Sequence, residues 1–79
     1  MIVYLKLFAS LRDKCGYADK ELTLQAPATV KKLVDIVCEG NPDINRETLL
    51  VAVNQEYAEA DTAVKDGDTV AIFPPVSGG

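Results

Sequence analysis

Val30, Leu33, Val34 and Val37 recur at i, i+3, i+4 and i+7, which is the helical period. Thr29 offers an N-cap with Pro27 just ahead of it, and Gly40 with Asn41-Pro42 supplies the stop. This is the main helical stretch, and every other apolar run is short and alternates. A helix with one apolar stripe must cover that stripe, and here the available cover is a sheet. That requirement limits the chain to architectures with one helix lying across one face of a small sheet.

The strands follow from the alternation. In Ile2 to Phe8, Val3, Leu5 and Leu7 share one face, with Tyr4, Lys6 and Phe8 on the other. Ser10 is expected to cap a short helix through about Cys15, ended by Gly16. Glu21 to Leu24 alternates again, with Leu22 and Leu24 inward. Leu49 to Asn54 puts Leu49, Val51 and Val53 on one face, and Asn54-Gln55 turns into a short return strand over Glu56 to Ala58. Asp66-Gly67 is a second turn signal, and Thr69 to Phe73 is the last strand, with Val70 and Ile72 inward. Strand, strand, helix, strand, short strand, strand is an α+β order. It matches the ubiquitin-like β-grasp, a mixed sheet with one main helix packed on one face. The whole chain, 1–79, is expected to be a single domain, with 74–79 a protruding C-terminal tail.

In a β-grasp the first and last strands are central, adjacent and parallel. Phe8 and Phe73 then meet at one end of the sheet, on the face away from the helix and beside the tail exit. An exposed aromatic cluster there reads as a partner patch. The competing reading is that the rings only cover the open face or pack under the short helix.

Composition removes several function classes. The formal net charge is −4, which repels phosphate backbones, so no nucleic acid partner is expected. With no histidine the chain lacks a side chain that titrates near neutrality and the commonest metal ligand, so no metal site is expected. No apolar run approaches the ~20 residues of a membrane span, and the start has no basic signal region, so no membrane association and a cytoplasmic location are expected. Cys15 and Cys38 then read as reduced packing residues. No bound cofactor is expected.

The chain closes on Phe73-Pro74-Pro75-Val76-Ser77-Gly78-Gly79. Proline has no N–H and cannot extend a sheet, so the pair is expected to launch an extended tail. Six residues beyond Phe73 span roughly 20 Å at ~3.3 Å per residue. Gly78 and Gly79 present a carboxylate on a tip narrow enough for a tight slot. The same ending also reads as a frayed terminus or a linker remnant.

Three blocks carry a resemblance to a known family. They are Leu7-Phe8-Ala9-x-Leu11-Arg12, then Val51-Ala52-Val53-Asn54-Gln55, then Asp66-Gly67-Asp68-x-Val70-Ala71-x-Phe73-Pro74-Pro75-Val76-x-Gly78-Gly79. Over its whole length the chain resembles the small, sulfur-carrying subunit of molybdopterin synthase. The resemblance implies that an ATP-using, ubiquitin-activating-like adenylyltransferase adenylates Gly79, with Gly78 beside it. A sulfur donor protein then converts the anhydride to a thiocarboxylate. The tail, Pro74, Pro75, Val76 and Ser77 included, enters the large catalytic subunit, where sulfur passes to a pterin precursor to build a dithiolene. The family's complex is a heterotetramer. Phe8, Phe73 and Tyr57 match its partner-contact positions, although Tyr57 brings a hydroxyl where the family is usually apolar, and edge-strand packing remains its other reading. Arg12 reads as a surface ion-pair residue. Glu56, Glu59, Asp61, Asp66 and Asp68 read either as steering charges or as a solvated face. The alternative functions are a sulfur carrier for a thiamine- or cysteine-type pathway, a ubiquitin-like protein modifier, and a passive interaction domain.

Overall fold

The computed structural model describes residues 1–75; the expectations for Val76, Ser77, Gly78 and Gly79 lie outside the described residues. In chain order the elements are β1 (Ile2–Leu7), α1 (Ser10–Cys15), β2 (Asp19–Thr23), β3 (Ala28–Thr29), α2 (Val30–Cys38), a 3-10 turn (Arg46–Thr48), β4 (Leu50–Val53), β5 (Glu56–Tyr57), β6 (Ala63–Val64) and β7 (Thr69–Phe73). Five strands form one sheet in the order β2-β1-β7-β4-β5. β1 and β7 are the parallel central pair, and the other pairings in that sheet are antiparallel. The β-grasp expectation holds.

The core lies between this sheet and α2. The inward residues of β1 (Val3, Leu5, Leu7), β7 (Val70, Ile72) and β4 (Val51) pack with Val30, Leu33, Val34 and Val37 of α2 and Leu11 of α1. Leu5 and Leu33 are fully buried. Each such side chain contributes about 1.5–3 kcal/mol through loss of apolar contact with water. All four helical-period residues and both inward residues of β7 are in this core, as the alternation requires.

The helix starts depart from the sequence reading. Ser10 does not cap α1. Ala9 holds the N-cap position at φ 53 and ψ −129, with no side-chain cap. The chain must reverse at once after β1, and that reversal uses Ala9 in left-handed space and draws Ser10 into the first helical turn. Such a conformation costs an L-residue roughly 1–3 kcal/mol. Thr29 does sit at the N-cap of α2, yet its side chain makes no cap bond. Loop carbonyls satisfy the first amides instead: Val30 N–H donates to Thr62 O and Lys31 N–H to Ala60 O, both at 2.9 Å. This docking accompanies the small β3–β6 sheet, where Ala28 pairs with Val64 and Thr29 with Ala63.

The turns agree with the sequence. Asn54 and Gln55 have φ 51 and 72, as a two-residue hairpin turn between β4 and β5 requires. Gly67 has φ 88, where glycine alone escapes strain. The return strand is shorter than expected, Glu56–Tyr57, although Ala58 N–H still donates to Val51 O at 2.9 Å. β2 begins earlier, at Asp19, and Leu24 lies past its end with its N–H on Met1 O at 2.8 Å.

Candidate functional site

The face of the sheet away from α2 carries the outward residues of β1, β7, β4 and β5. Strand register sorts them into rows. Leu50 lies opposite Phe73, and Phe73 stacks on Phe8, with ring centroids 4.7 Å apart and planes 13° from parallel. The next row runs Asp19, Lys6, Ala71, Ala52, Tyr57 across all five strands. Beyond it Glu21 pairs with Tyr4 and Tyr4 with Thr69. Between the rows is an open trough of about 690 Å³. Ala52 and Ala71 floor it, Phe8, Phe73 and Tyr57 wall it, and Lys6 lies along its border.

The expected aromatic cluster is therefore present and exposed. Phe8 keeps 42% of its surface in solvent, even though its ring covers one face of Phe73. Phe73 is half-buried. Tyr57 is 79% exposed, so edge-strand packing does not account for its ring. What sequence reasoning missed is the alanine floor and Lys6. Their alternation was legible, but their meeting in one row depends on register between strands distant in sequence.

The tail root lies at the same end of the sheet. β7 ends at Phe73, Pro74 is half-buried and Pro75 is exposed. Both prolines border a cleft of about 200 Å³ against Ser10, Leu11 and Lys14 of α1 and Ile44, Thr48 and Leu49 across from it. Lys14 Nζ donates to Asp43 Oδ2 at 2.8 Å, tying the end of α1 to the loop between α2 and the 3-10 turn. That bond and the Lys14 charge hold the Asp43 carboxyl below the usual range.

The charged residues divide into two kinds. Arg12 Nε lies 4.0 Å from Asp13 Oδ1 with both side chains exposed, an ion pair of little energy, as its surface reading anticipates. Arg46 pairs with Asp35. Asp66 and Asp68, two of the five acids read either as steering charges or as a solvated face, hold turns through hydrogen bonds. Asp66 Oδ1 accepts from Ile2 N–H at 2.7 Å. Asp68 accepts from Asn54 Nδ2 at 2.9 Å and from Lys65 N–H at 2.8 Å. Only Glu56, Glu59 and Asp61 of that group are exposed acids outside these bonds.

Cys15 and Cys38 are free, half-buried thiols. Burial pushes both up, and for Cys38 the neighbouring Cys15 adds to it. Both pack against the core, Cys15 at the end of α1 and Cys38 at the end of α2. Among the described residues no group of three or more acids or cysteines is arranged to hold a metal ion, and no helix is long and apolar enough to cross a membrane.

Residues 5–79 match the ThiS family. The chain is 58% identical over 82 residues to the molybdopterin synthase sulfur carrier subunit of Escherichia coli, covering 99% of this chain and 100% of the relative. Among solved structures it is similar to SAMP1 from Haloferax volcanii, with a TM-score of 0.82, 29% identity and 100% of both chains covered. The "Putative molybdopterin converting factor, subunit 1" from Pyrococcus furiosus superposes at a TM-score of 0.81 with 30% identity, covering 96% of this chain and 99% of that one. The mixed sheet with one main helix across it thus agrees in sequence and in fold with these relatives, and the chain belongs to the ThiS family, among the molybdopterin synthase sulfur carriers.

Proposed function

We propose that this chain is the sulfur carrier subunit of a molybdopterin synthase and that Gly79 is its reacting residue. The observation that carries the proposal is the stacked Phe8–Phe73 pair on the helix-free face, at the point where the chain leaves the sheet toward Gly78-Gly79. A docking surface and a reactive tail that share one origin can engage a partner together.

The chemistry follows from the weakness of a carboxylate as an electrophile. A carboxylate oxygen of Gly79 attacks the α-phosphorus of ATP on an activating enzyme, and pyrophosphate leaves. A sulfide-level nucleophile, HS− released by a sulfur donor, then attacks the acyl carbon, AMP leaves with the bonding pair, the S–H proton is lost, and a thiocarboxylate remains. This group stays anionic at neutral pH and is a soft nucleophile, suited to pass its sulfur to the pterin precursor. Its sulfur bonds to a precursor carbon in place of an oxygen substituent there, which links Gly79 to the precursor as a thioester; water then cleaves the acyl C–S bond, leaving the sulfur on the precursor and a free carboxylate on Gly79. Gly78 and Gly79 carry no Cβ, so the reacting carbonyl approaches without clash. Basic groups in the partner's pocket pair with the anionic tip. Phe8, Phe73 and Tyr57 form the docking face, Pro74 to Ser77 thread the tail, and the active site lies in the large subunit. The whole cycle is cytoplasmic.

Intact mass after incubation with ATP, an activating enzyme and a sulfur donor tests this reading. The expected result is a gain equal to exchange of one oxygen for sulfur, localised to Gly79. No gain, with an enzyme proven active on another carrier, overturns it. The likeness to SAMP1, a small archaeal modifier protein, supports a second reading in which Gly79 is joined to lysines of other proteins. Conjugate ladders resistant to thiol reductants, and absent for a chain lacking Gly79, are the expected sign of that activity.

A further inference from the structure

Pro74 and Pro75 leave the sheet between two walls. One is α1, with Leu11 and Lys14; the other is the segment after α2, with Asp43, Ile44 and Leu49. Each wall is anchored to the body. Leu11 is buried, and Ile44 and Leu49 pack against the core. Asn45 closes the 3-10 turn: its side chain accepts from Glu47 N–H at 3.1 Å and its carbonyl from Thr48 Oγ1 at 2.9 Å. Arg46 ties that turn to Asp35 of α2. The two walls are joined to each other by the 2.8 Å bond from Lys14 Nζ to Asp43 Oδ2. Beside it stands a long contact, 3.9 Å from Asn41 Nδ2 to Cys15 Sγ. The core does not call for the Lys14–Asp43 clasp, since the two side chains keep 38% and 68% of their surface in solvent.

We infer that Lys14 and Asp43 are positioning residues for the reacting tail: their clasp holds the two walls together, and the cleft between them sets the heading at which the chain leaves the sheet. The inference rests on the carrier reading proposed above and adds to it a device inside this chain. Pro74 is half-buried and Pro75 exposed, so the heading is set at Pro74. The proline ring locks φ, so a heading imposed at Pro74 carries through Pro75 instead of being lost to rotation. For a tail threaded in extended form, roughly 20 Å long at ~3.3 Å per residue, an error of ~10° at the root is ~3–4 Å at the tip. A carrier whose tail root already points along the entry path loses less freedom on binding. Opening the clasp therefore weakens engagement with an enzyme that threads the tail, and leaves the chemistry at Gly79 untouched once the tail is held.

Carrier-dependent exchange of labelled pyrophosphate into ATP by the activating enzyme of the same organism tests this. In that step a Gly79 carboxylate oxygen bonds to the α-phosphorus of ATP and pyrophosphate leaves; the reverse returns label to ATP. The carrier is the varied substrate, and thermal melting confirms that each variant is folded at the assay temperature. Lys14→Asp and Asp43→Lys are each expected to raise KM for the carrier about two- to fivefold with kcat unchanged, the range open to an exposed ion pair. The two changes together restore the pair in reverse and are expected to recover most of the loss. A neutral cycle is the second test: Lys14→Gln with Asp43→Asn is expected to be no worse than either change alone. Wild-type KM in the single variants overturns the inference. So do single effects that add in the double variants, which would mean that the two side chains meet the enzyme separately, and so does a fall in kcat at unchanged KM. In each of these cases exchange by the wild-type carrier leaves the carrier reading standing. No exchange with the wild-type chain, using an enzyme proven active on another carrier, overturns the carrier reading and this inference with it.

Discussion

Phe8→Ala is the perturbation whose magnitude follows most directly from the structure. Phe8 exposes 42% of its surface in the free chain. A phenylalanine presents on the order of 200 Å² for burial, so about 80 Å² remains available to a partner. At ~25 cal/mol per Å² that area is worth about 2 kcal/mol on complete burial, close to a thirtyfold change in Kd. The same substitution removes the stack on Phe73, worth about 0.5–1.5 kcal/mol beyond area, so the free carrier should also melt at lower temperature. Titration calorimetry with the large subunit measures the first effect and thermal unfolding of the isolated carrier the second. A double cycle with Phe73→Ala then isolates the coupling between the rings. A Kd within about twofold of wild type, in a variant whose melting has fallen as expected, would refute the reasoning: the stack would be internal cover for the sheet and not part of an interface.

Asn54 offers a cleaner test of the scaffold. Its side chain bonds Asp68 and receives Thr69 N–H at 3.0 Å, while its backbone sits at φ 51. Asn54→Gly should lose only the side-chain bonds, about 1–2 kcal/mol, and Asn54→Ala should lose about 1 kcal/mol more from the left-handed backbone, both read from denaturant unfolding. Asp43 has a carboxyl held low by Lys14, so its contribution to stability is present above the unfolded value near ~3.9 and is lost as pH falls through the depressed folded value. Lys14→Met should flatten that acid limb in a series of melts from neutral pH downward, and an unchanged limb would remove the ion pair from the account. Adding one residue after Gly79 should abolish sulfur transfer, because the reacting carbonyl is displaced; normal product formation from the extended protein would sink the threading scheme.

Much of this molecule was legible in order of residues alone. The helical stripe Val30, Leu33, Val34, Val37 and the alternation in β1 and β7 name the core, because period and burial are locked together by backbone geometry. Asn54-Gln55 and Gly67 mark their turns because left-handed backbone angles admit few residue types. The aromatic pair was also legible, but only after the parallel pairing of the first and last strands was assumed.

Tertiary structure decided the remainder. Ser10 and Thr29 carry the side chains of helix caps, yet a reversal at Ala9 and the carbonyls of Ala60 and Thr62 took over that work. A cap is a local preference worth about a kilocalorie, and packing of a distant loop overrides it. The two-residue strands β3 and β6 have no periodic signal, since two residues cannot show a period. Asp66 and Asp68 looked like free charges until the turns closed around them. The row Lys6, Ala71, Ala52, Tyr57 exists only through register across four strands. Sequence determined which residues face inward; only the folded sheet decided which outward residues stand side by side, because that neighbourhood is set by pairings between segments far apart along the chain.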